Sequence, residues 1–242
     1  MTVKYSKDGK VSFNAFTHAY LFAGKRLTGV TTLINRYKNK FDSEAVATAY
    51  ALKNGLQKEE VMAEWAEKGR VSLENGTAVH NVFEDYIKKR QINLTGRYPK
   101  EVVALRFIQE IFETGRLTPV EAEMIVYDQI AGIASQIDCL AMDRQRNYYI
   151  LDWKTNSSIS RDGWGKIMKQ PFGIYPDASF YHYSIQVNFY KRLCKEYPIS
   201  GAYIVHIDFE DYTLMKAEDM PEVDLFFQKD GQAIGIEQLK IF

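Results

Sequence analysis

The hydrophobic period of this chain changes from helical to strand-like near residue 118, and that change restricts the fold class more than any other feature. From Thr28 up to that point, apolar residues recur at helical spacing. Val30, Leu33, Ile34 and Tyr37 form one stripe, followed by segments from Val46 to Leu52 and from Val61 to Trp65. A helix is expected over about 77–90, and another over about 100–113 on Val103, Phe107, Ile108 and Ile111. After the change, residues 119–127, 131–142 and 147–154 read as three consecutive strands. They are rich in Val, Ile and Tyr, with turns at Asp128-Gln129 and from Asp143 to Asn147. A helix over about 178–196, strands near 201–209 and 212–217, and a last helix near 221–229 complete the pattern. Residues 1–27 read as a short hairpin around Gly9 and Gly24, and Gly55 and Gly69 as helix punctuation.

Helices, then a meander, then a helix between strands imply an α/β fold: a central mixed β-sheet flanked by helices, with a helical N-terminal part. No repeat, low-complexity tract or linker divides the chain. One domain over 1–242 is expected, with 1–75 mainly helical, 76–217 the core, and 218–242 a C-terminal helix and tail.

Charge excludes one class of partner and leaves another open. Thirty-one basic and 31 acidic residues cancel, which rules out a polycationic nucleic-acid sleeve. A nucleic-acid enzyme needs only a local basic path and survives the count. Cys139 and Cys194 are too few for a disulfide framework, a four-thiolate metal site or an iron–sulfur cluster, and both read as small core residues. No apolar run spans a bilayer, and Met1 to Ser6 resembles neither a signal peptide nor a transit peptide. A cytoplasmic protein without a membrane partner is the expectation.

The chemistry concentrates in three strings. Ile133-Ala134-Ser135-Gln136-Ile137-Asp138 and Ile150-Leu151-Asp152-Trp153-Lys154-Thr155 place carboxylates at the ends of adjacent strands. Strand alternation puts Asp152 and Lys154 on one face. Trp153 points away but offers its backbone carbonyl. Two carboxylates and a carbonyl suit a hard divalent cation, and Lys154 beside them could orient a water or balance charge on a phosphate. The same residues also read as turn-flanking acids and a solvated strand end. On the helix at 77–90, Val79, Phe83, Tyr86 and Ile87 form the buried face, with His80 and Glu84 one turn apart at its rim. His80 is a candidate nitrogen ligand or a structural histidine. On the later helix, Gln186 shares the broad apolar face of Ile185 and Phe189, next to Tyr183 and Tyr190. A buried amide needs partners or costs roughly 1–3 kcal/mol, so Gln186 reads as a substrate-side group or a backbone-bonded amide.

In order and spacing, His80, Asp138, Asp152-x-Lys154 and Gln186-x-x-x-Tyr190 resemble the PD-(D/E)XK nucleases of the RecB-like branch, which includes mitochondrial genome maintenance exonuclease and small phage-encoded exonucleases. Gly76-Thr77-x-x-His80, Asp152-Trp153-Lys154-Thr155, Leu27 to Thr32 and Phe180 to Gln186 add to the resemblance, which runs from about 27 to 210. It implies a restriction-endonuclease-like core. It implies metal ligands at His80, Asp138, Asp152 and the Trp153 carbonyl, and a catalytic set of Asp138, Asp152, Lys154, Gln186 and Tyr190. Glu84 and Glu123 form a second tier, Glu123 matching a recurrent acidic position. Ser135 stands where glycine is common, and the iron–sulfur cysteines of some relatives are absent.

The implied cofactor is Mg²⁺ or Mn²⁺ without an iron–sulfur cluster, and the implied activity is DNA exonuclease in replication, recombination or repair, in a bacterial or phage-infected cell. Single-stranded ends or flaps are favoured over intact duplex, with Tyr183, Gln186, Tyr190, Lys166 and Lys169 on the substrate side. Arg36, Lys38, Lys40 and Lys88 to Arg90 are further phosphate contacts to consider, and Trp164, Phe172 and Tyr175 in the long polar segment 155–177 are candidates to stack bases. Competing readings are an endonuclease of the same fold, a non-catalytic DNA-binding scaffold, and a hydrolase using Asp138 and Asp152 as an acid–base pair. The lysine beside the carboxylates and the histidine-bearing helix fit a metal phosphodiesterase better than the last.

Overall fold

The computed structural model describes residues 3–228. Its N-terminal segment is richer in strand than expected. β1 (Val3–Tyr5), β2 (Val11–Asn14), β3 (Ala19–Phe22) and β4 (Lys25–Gly29) form an antiparallel meander where one hairpin was anticipated and where 1–75 was expected to be mainly helical. The turn that no glycine announces spans residues 15–18, between β2 and β3, while the turn at Gly24 is built by Ala23-Gly24. Both residues have positive φ, as a two-residue hairpin loop requires, and Ala23 gives no sequence signal for it.

Helices begin at α1 (Val30–Ile34) and α2 (Ser43–Asn54). Asp42 caps α2 by accepting from the Ala45 N–H, and Gly55 ends it in the left-handed region. α3 (Lys58–Lys89) is one helix of 32 residues. Gly69 does not break it, and the expected boundary at 75/76 falls inside it. Ion pairs from Lys68 to Glu64 and from Arg70 to Glu67 and Glu74 span the glycine-bearing turns. They help to offset the helix cost of glycine. α4 (Pro99–Phe107) continues into a single π-helical turn at Ile108–Phe112.

β5 (Thr118–Asp128), β6 (Ile133–Met142) and β7 (Tyr148–Lys154) occupy the three anticipated strand positions, followed by α5 (Ser179–Leu193), β8 (Ile199–Ile207) and β9 (Tyr212–Lys216). The last expected helix, 221–229, is a 3₁₀ turn at Pro221–Phe226, and the tail from 229 onward lies outside the described residues.

The result is a mixed α/β fold with a nine-stranded mixed sheet flanked by helices, consistent with a restriction-endonuclease-like core. One face packs on α1 and α5 through Val30, Ile34, Ile137, Leu140, Ile150, Ile185 and Phe189. The other packs on α3 and α4 through Val79, Phe83, Phe107, Leu151, Trp153 and Val205. Among the described residues no helix is long and apolar enough to cross a membrane.

β6 is the hub. β5 pairs antiparallel along its whole length. The opposite edge is divided: β4 runs parallel to Ile133 and Ala134, and β7 pairs antiparallel from Cys139 to Met142. Residues 135–138 on that edge have no strand partner, so the sheet carries a gap where β4 and β7 diverge.

Candidate active site

The gap gathers the polar residues. Asp138 sits where β7 leaves β6, one residue beyond the last pair, Cys139 with Leu151. Its Oδ2 accepts the Trp153 N–H at 2.9 Å, so a carboxylate stands where a strand partner would have been. In a strand the N–H and C=O of one residue share an edge, which directs the Trp153 carbonyl into the same gap. The Trp153 indole goes to the other layer, stacked on Phe83 with ring centroids 3.9 Å apart.

Glu123 lies opposite Asp138, because Ala122 pairs with Cys139 and Met124 with Ile137. Its φ is 57°, left-handed for a residue with no intrinsic taste for that region. The consequence is visible in the packing. Ala122 and Met124 are two residues apart yet enter different cores, and so do Ile137 and Cys139. Strand alternation is broken at Glu123 and Asp138 together, and both carboxylates emerge beside α3.

α3 supplies His80. Its Nδ1 is 3.7 Å from Glu123 and its Nε2 is 3.9 Å from Asp138. One ligand atom each from His80, Glu123 and Asp138 fits within 4.8 Å of the others. Gly76, one turn earlier, lets the helix come this close: a Cβ there would stand 3.2 Å from Thr155 Oγ1.

Asp152 and Lys154 occupy the α5 side. Asp152 is fully buried, and its Oδ1 has no hydrogen-bond donor. The Lys154 ammonium pairs with Asp152 Oδ2 at 2.6 Å and lies 4.8 Å from the centre of the Tyr183 ring. Gln186 donates to the Tyr190 hydroxyl, and the buried Tyr190 hydroxyl neighbours Ser135. Tyr20 of β3 reaches Ser135 from the meander.

The electrostatics are those of too many acids in one dry place. Burial, with Asp152 and Glu123 adding to it, pushes Asp138 up to about 7 against the pull of His80 and Lys154. Burial disfavours charge on Lys154 and His80, but the carboxylates outweigh it and hold both above their ordinary values. Burial also works to raise Glu123, yet His80 and Lys4 together bring it below the usual range.

The residues fit a divalent cation. The buried Asp152 carries Lys154 on one oxygen and no donor on the other, and an imidazole and two further carboxylates converge nearby. An oxygen-rich set with one imidazole suits Mg²⁺ or Mn²⁺. His80 and Asp138 come together with Glu123, from the second tier, while Asp152 approaches from the opposite layer. Glu84 lines the same cleft, of about 610 Å³, with its carboxylate taken by Lys88 and Lys4.

Other expected residues lie elsewhere. Lys166 and Lys169 are exposed and do not line this cleft. Phe172 is buried in the core, and Tyr175 packs against that core and donates to Glu222; neither is free to stack a base. Trp164 stays exposed. Four contributors escaped the sequence reading: Lys4, which bridges Glu123 at 3.1 Å and Glu84 at 3.5 Å, and Lys100, Asn156 and His206 around the exit of β7. Only topology brings Lys4, Lys100 and His206 there, while Asn156 follows directly on the Asp152-Trp153-Lys154-Thr155 string.

No protein-family model matches the chain, and no curated protein does. Among solved structures it is similar to SSO0001, at 16% identity and a TM-score of 0.30, over 83% of this chain and 71% of that one. It is also similar to a protein from Eubacterium rectale described as "Putative exonuclease", at 11% identity and a TM-score of 0.33, over 82% of this chain and 67% of that one.

Proposed function

We propose that this protein is a divalent-metal-dependent nuclease that hydrolyses DNA phosphodiesters, working as an exonuclease on single-stranded ends or flaps. The observation that carries the reading is the meeting of His80, Glu123 and Asp138 in the sheet gap, beside the buried ion pair of Asp152 and Lys154. His80, Glu123 and Asp138 would hold the cation, with Asp152 and the Trp153 carbonyl at its edge. When bound, such an ion activates water and offsets charge on phosphate oxygens.

The chain's own residues do the rest. Lys154, positioned by Asp152 and the Tyr183 ring, supplies a fixed positive charge for the phosphate as negative charge builds in the transition state. Gln186 and Tyr190 form a linked polar pair on the α5 side of the gap and orient the strand being cut. The buried aromatic cluster of Phe83, Phe107 and Trp153 packs beneath the cleft, and its low polarity strengthens the carboxylates' field on that side.

End-labelled single- and double-stranded DNA, incubated with Mg²⁺, Mn²⁺ or EDTA, tests this. Metal-dependent shortening from one end is expected. Tight binding without cleavage under any ion would point to a scaffold instead.

A further inference from the structure

Just past Lys154 the chain is held with unusual care. The Thr155 carbonyl accepts from Lys100 Nζ at 2.8 Å, and the Asn156 carbonyl accepts from His206 Nε2 at 2.7 Å. The Asn156 side chain is fixed as well: its Oδ1 accepts the Tyr183 hydroxyl at 2.7 Å. Lys100 and His206 are both buried, Lys100 to 2% exposure. Burying an ammonium group is expensive unless it is well paired. Yet the nearest carboxylate to Lys100, on Asp208, is 3.8 Å away, and its remaining close neighbour is the Phe209 ring at 4.4 Å. Burial accordingly pushes the Lys100 ammonium below its ordinary value. His206 comes from β8 and pairs in register with Lys154. Two buried polar side chains therefore hold the two carbonyls that follow the lysine of the site.

Asn156 itself is exposed and lines the cleft that contains His80, Glu123 and Lys154. An exposed asparagine amide ordinarily turns freely. Here the Tyr183 hydroxyl occupies the oxygen, which leaves the NH₂ group as the end presented outward. A neutral double donor at the rim of a cation site matches a phosphate or sugar oxygen.

We propose that Asn156 is a substrate-contact residue, donating to an oxygen of the nucleic-acid backbone adjacent to the reacting phosphate, with Lys100 and His206 as positioning residues that hold its backbone. This rests on the nuclease reading.

The test is steady-state cleavage of a fluorescein-labelled single-stranded DNA oligonucleotide by the wild type, Asn156→Asp and Lys100→Met, with Mn²⁺ affinity measured in parallel by calorimetry. Asn156→Asp keeps the shape and the Tyr183 bond but replaces the donors with a carboxylate that repels phosphate. A rise in KM of about ten-fold or more is expected, with kcat and Mn²⁺ affinity close to wild type. An unchanged KM, or a fall confined to kcat, would overturn the assignment while leaving the nuclease reading standing. A wild type that cuts no DNA with any ion removes the nuclease reading itself, and this inference with it. Lys100→Met that melts like the wild type but shares the KM rise supports the positioning role, and a wild-type KM in that protein contradicts it.

Discussion

At the scale of single residues, the site depends on charges the fold holds under strain. Lys154→Ala should lower the cleavage rate by at least about a thousand-fold in a protein that keeps its circular dichroism spectrum but melts earlier, because the buried Asp152 loses its counter-charge; full activity in the folded variant contradicts its assigned role. Asp138 yields a pH prediction. Its carboxyl is raised to about 7 in the folded, metal-free protein. As pH climbs from about 4, the unfolded chain loses that proton first, so this group's contribution to stability falls between about pH 4 and pH 7 and is level above. Asp138→Asn removes the penalty and keeps an acceptor for the Trp153 N–H. In EDTA at pH 8 the variant should be more stable than the wild type, on the order of 3 kcal/mol, with the gain disappearing near pH 4 in denaturant melts. A gain that is equal at both values would show that ionisation is not its cause.

Asp138, Asp152, Lys154 and His80 were legible in the sequence as residue types at telling spacings. Glu123 was legible only as an acid on the neighbouring strand. Its left-handed backbone, which turns it toward His80, has no signature in a residue that rarely adopts that conformation. Lys4, from the edge strand β1, arrives by tertiary pairing that no local pattern announces.

At the scale of elements, α3 separates structure from site most cleanly. Its two glycines look alike in sequence, but only Gly69 reads as punctuation, because local propensity weighs against glycine within a helix, while Gly76 opens the Gly76-Thr77-x-x-His80 string. The continuous helix gives them different tasks. Nothing lies within 4 Å of a Cβ placed at Gly69, whereas at Gly76 it meets Thr155 at 3.2 Å. Gly69→Ala should therefore stabilise the protein by roughly 0.5–1 kcal/mol without altering Mn²⁺ affinity. Gly76→Val should destabilise it by roughly 1–3 kcal/mol and weaken Mn²⁺ binding, because α3 must back away from β7 and carry His80 with it. Equal metal affinity in both variants would show that the helix approach does not set the site. The three strands after residue 118 were legible from their Val, Ile and Tyr content. The face switch at Glu123 and Asp138 was not, since alternation is the rule from which strand faces are read.

At the scale of the whole molecule, the sheet gap organises everything else. β4 and β7 diverge along one edge of β6, and the two helical layers then reach the same point through it, α3 with His80 and α5 with Tyr183, Gln186 and Tyr190. Helix–strand order alone implied a mixed sheet between helices, but not that its hub would leave four positions without a strand partner on one edge. The balanced count of 31 acidic and 31 basic residues also takes on a local meaning. Glu84, Glu123, Asp138 and Asp152 are concentrated around one cleft, and a bound cation would lessen their repulsion of phosphate. DNA binding should accordingly be modest and should weaken with salt in anisotropy titrations, with a slope in log Kd against log salt no steeper than a few phosphate contacts give. A steep slope would mark a basic surface that this fold does not concentrate around its cleft.

The most direct test of the central claim is an anomalous difference map from crystals soaked in Mn²⁺. The account predicts a peak among His80, Glu123 and Asp138, within coordination distance of the imidazole and at least one carboxylate, and its loss in Asp138→Asn. A well-ordered soaked crystal with no peak there, or with manganese bound only elsewhere, would contradict it.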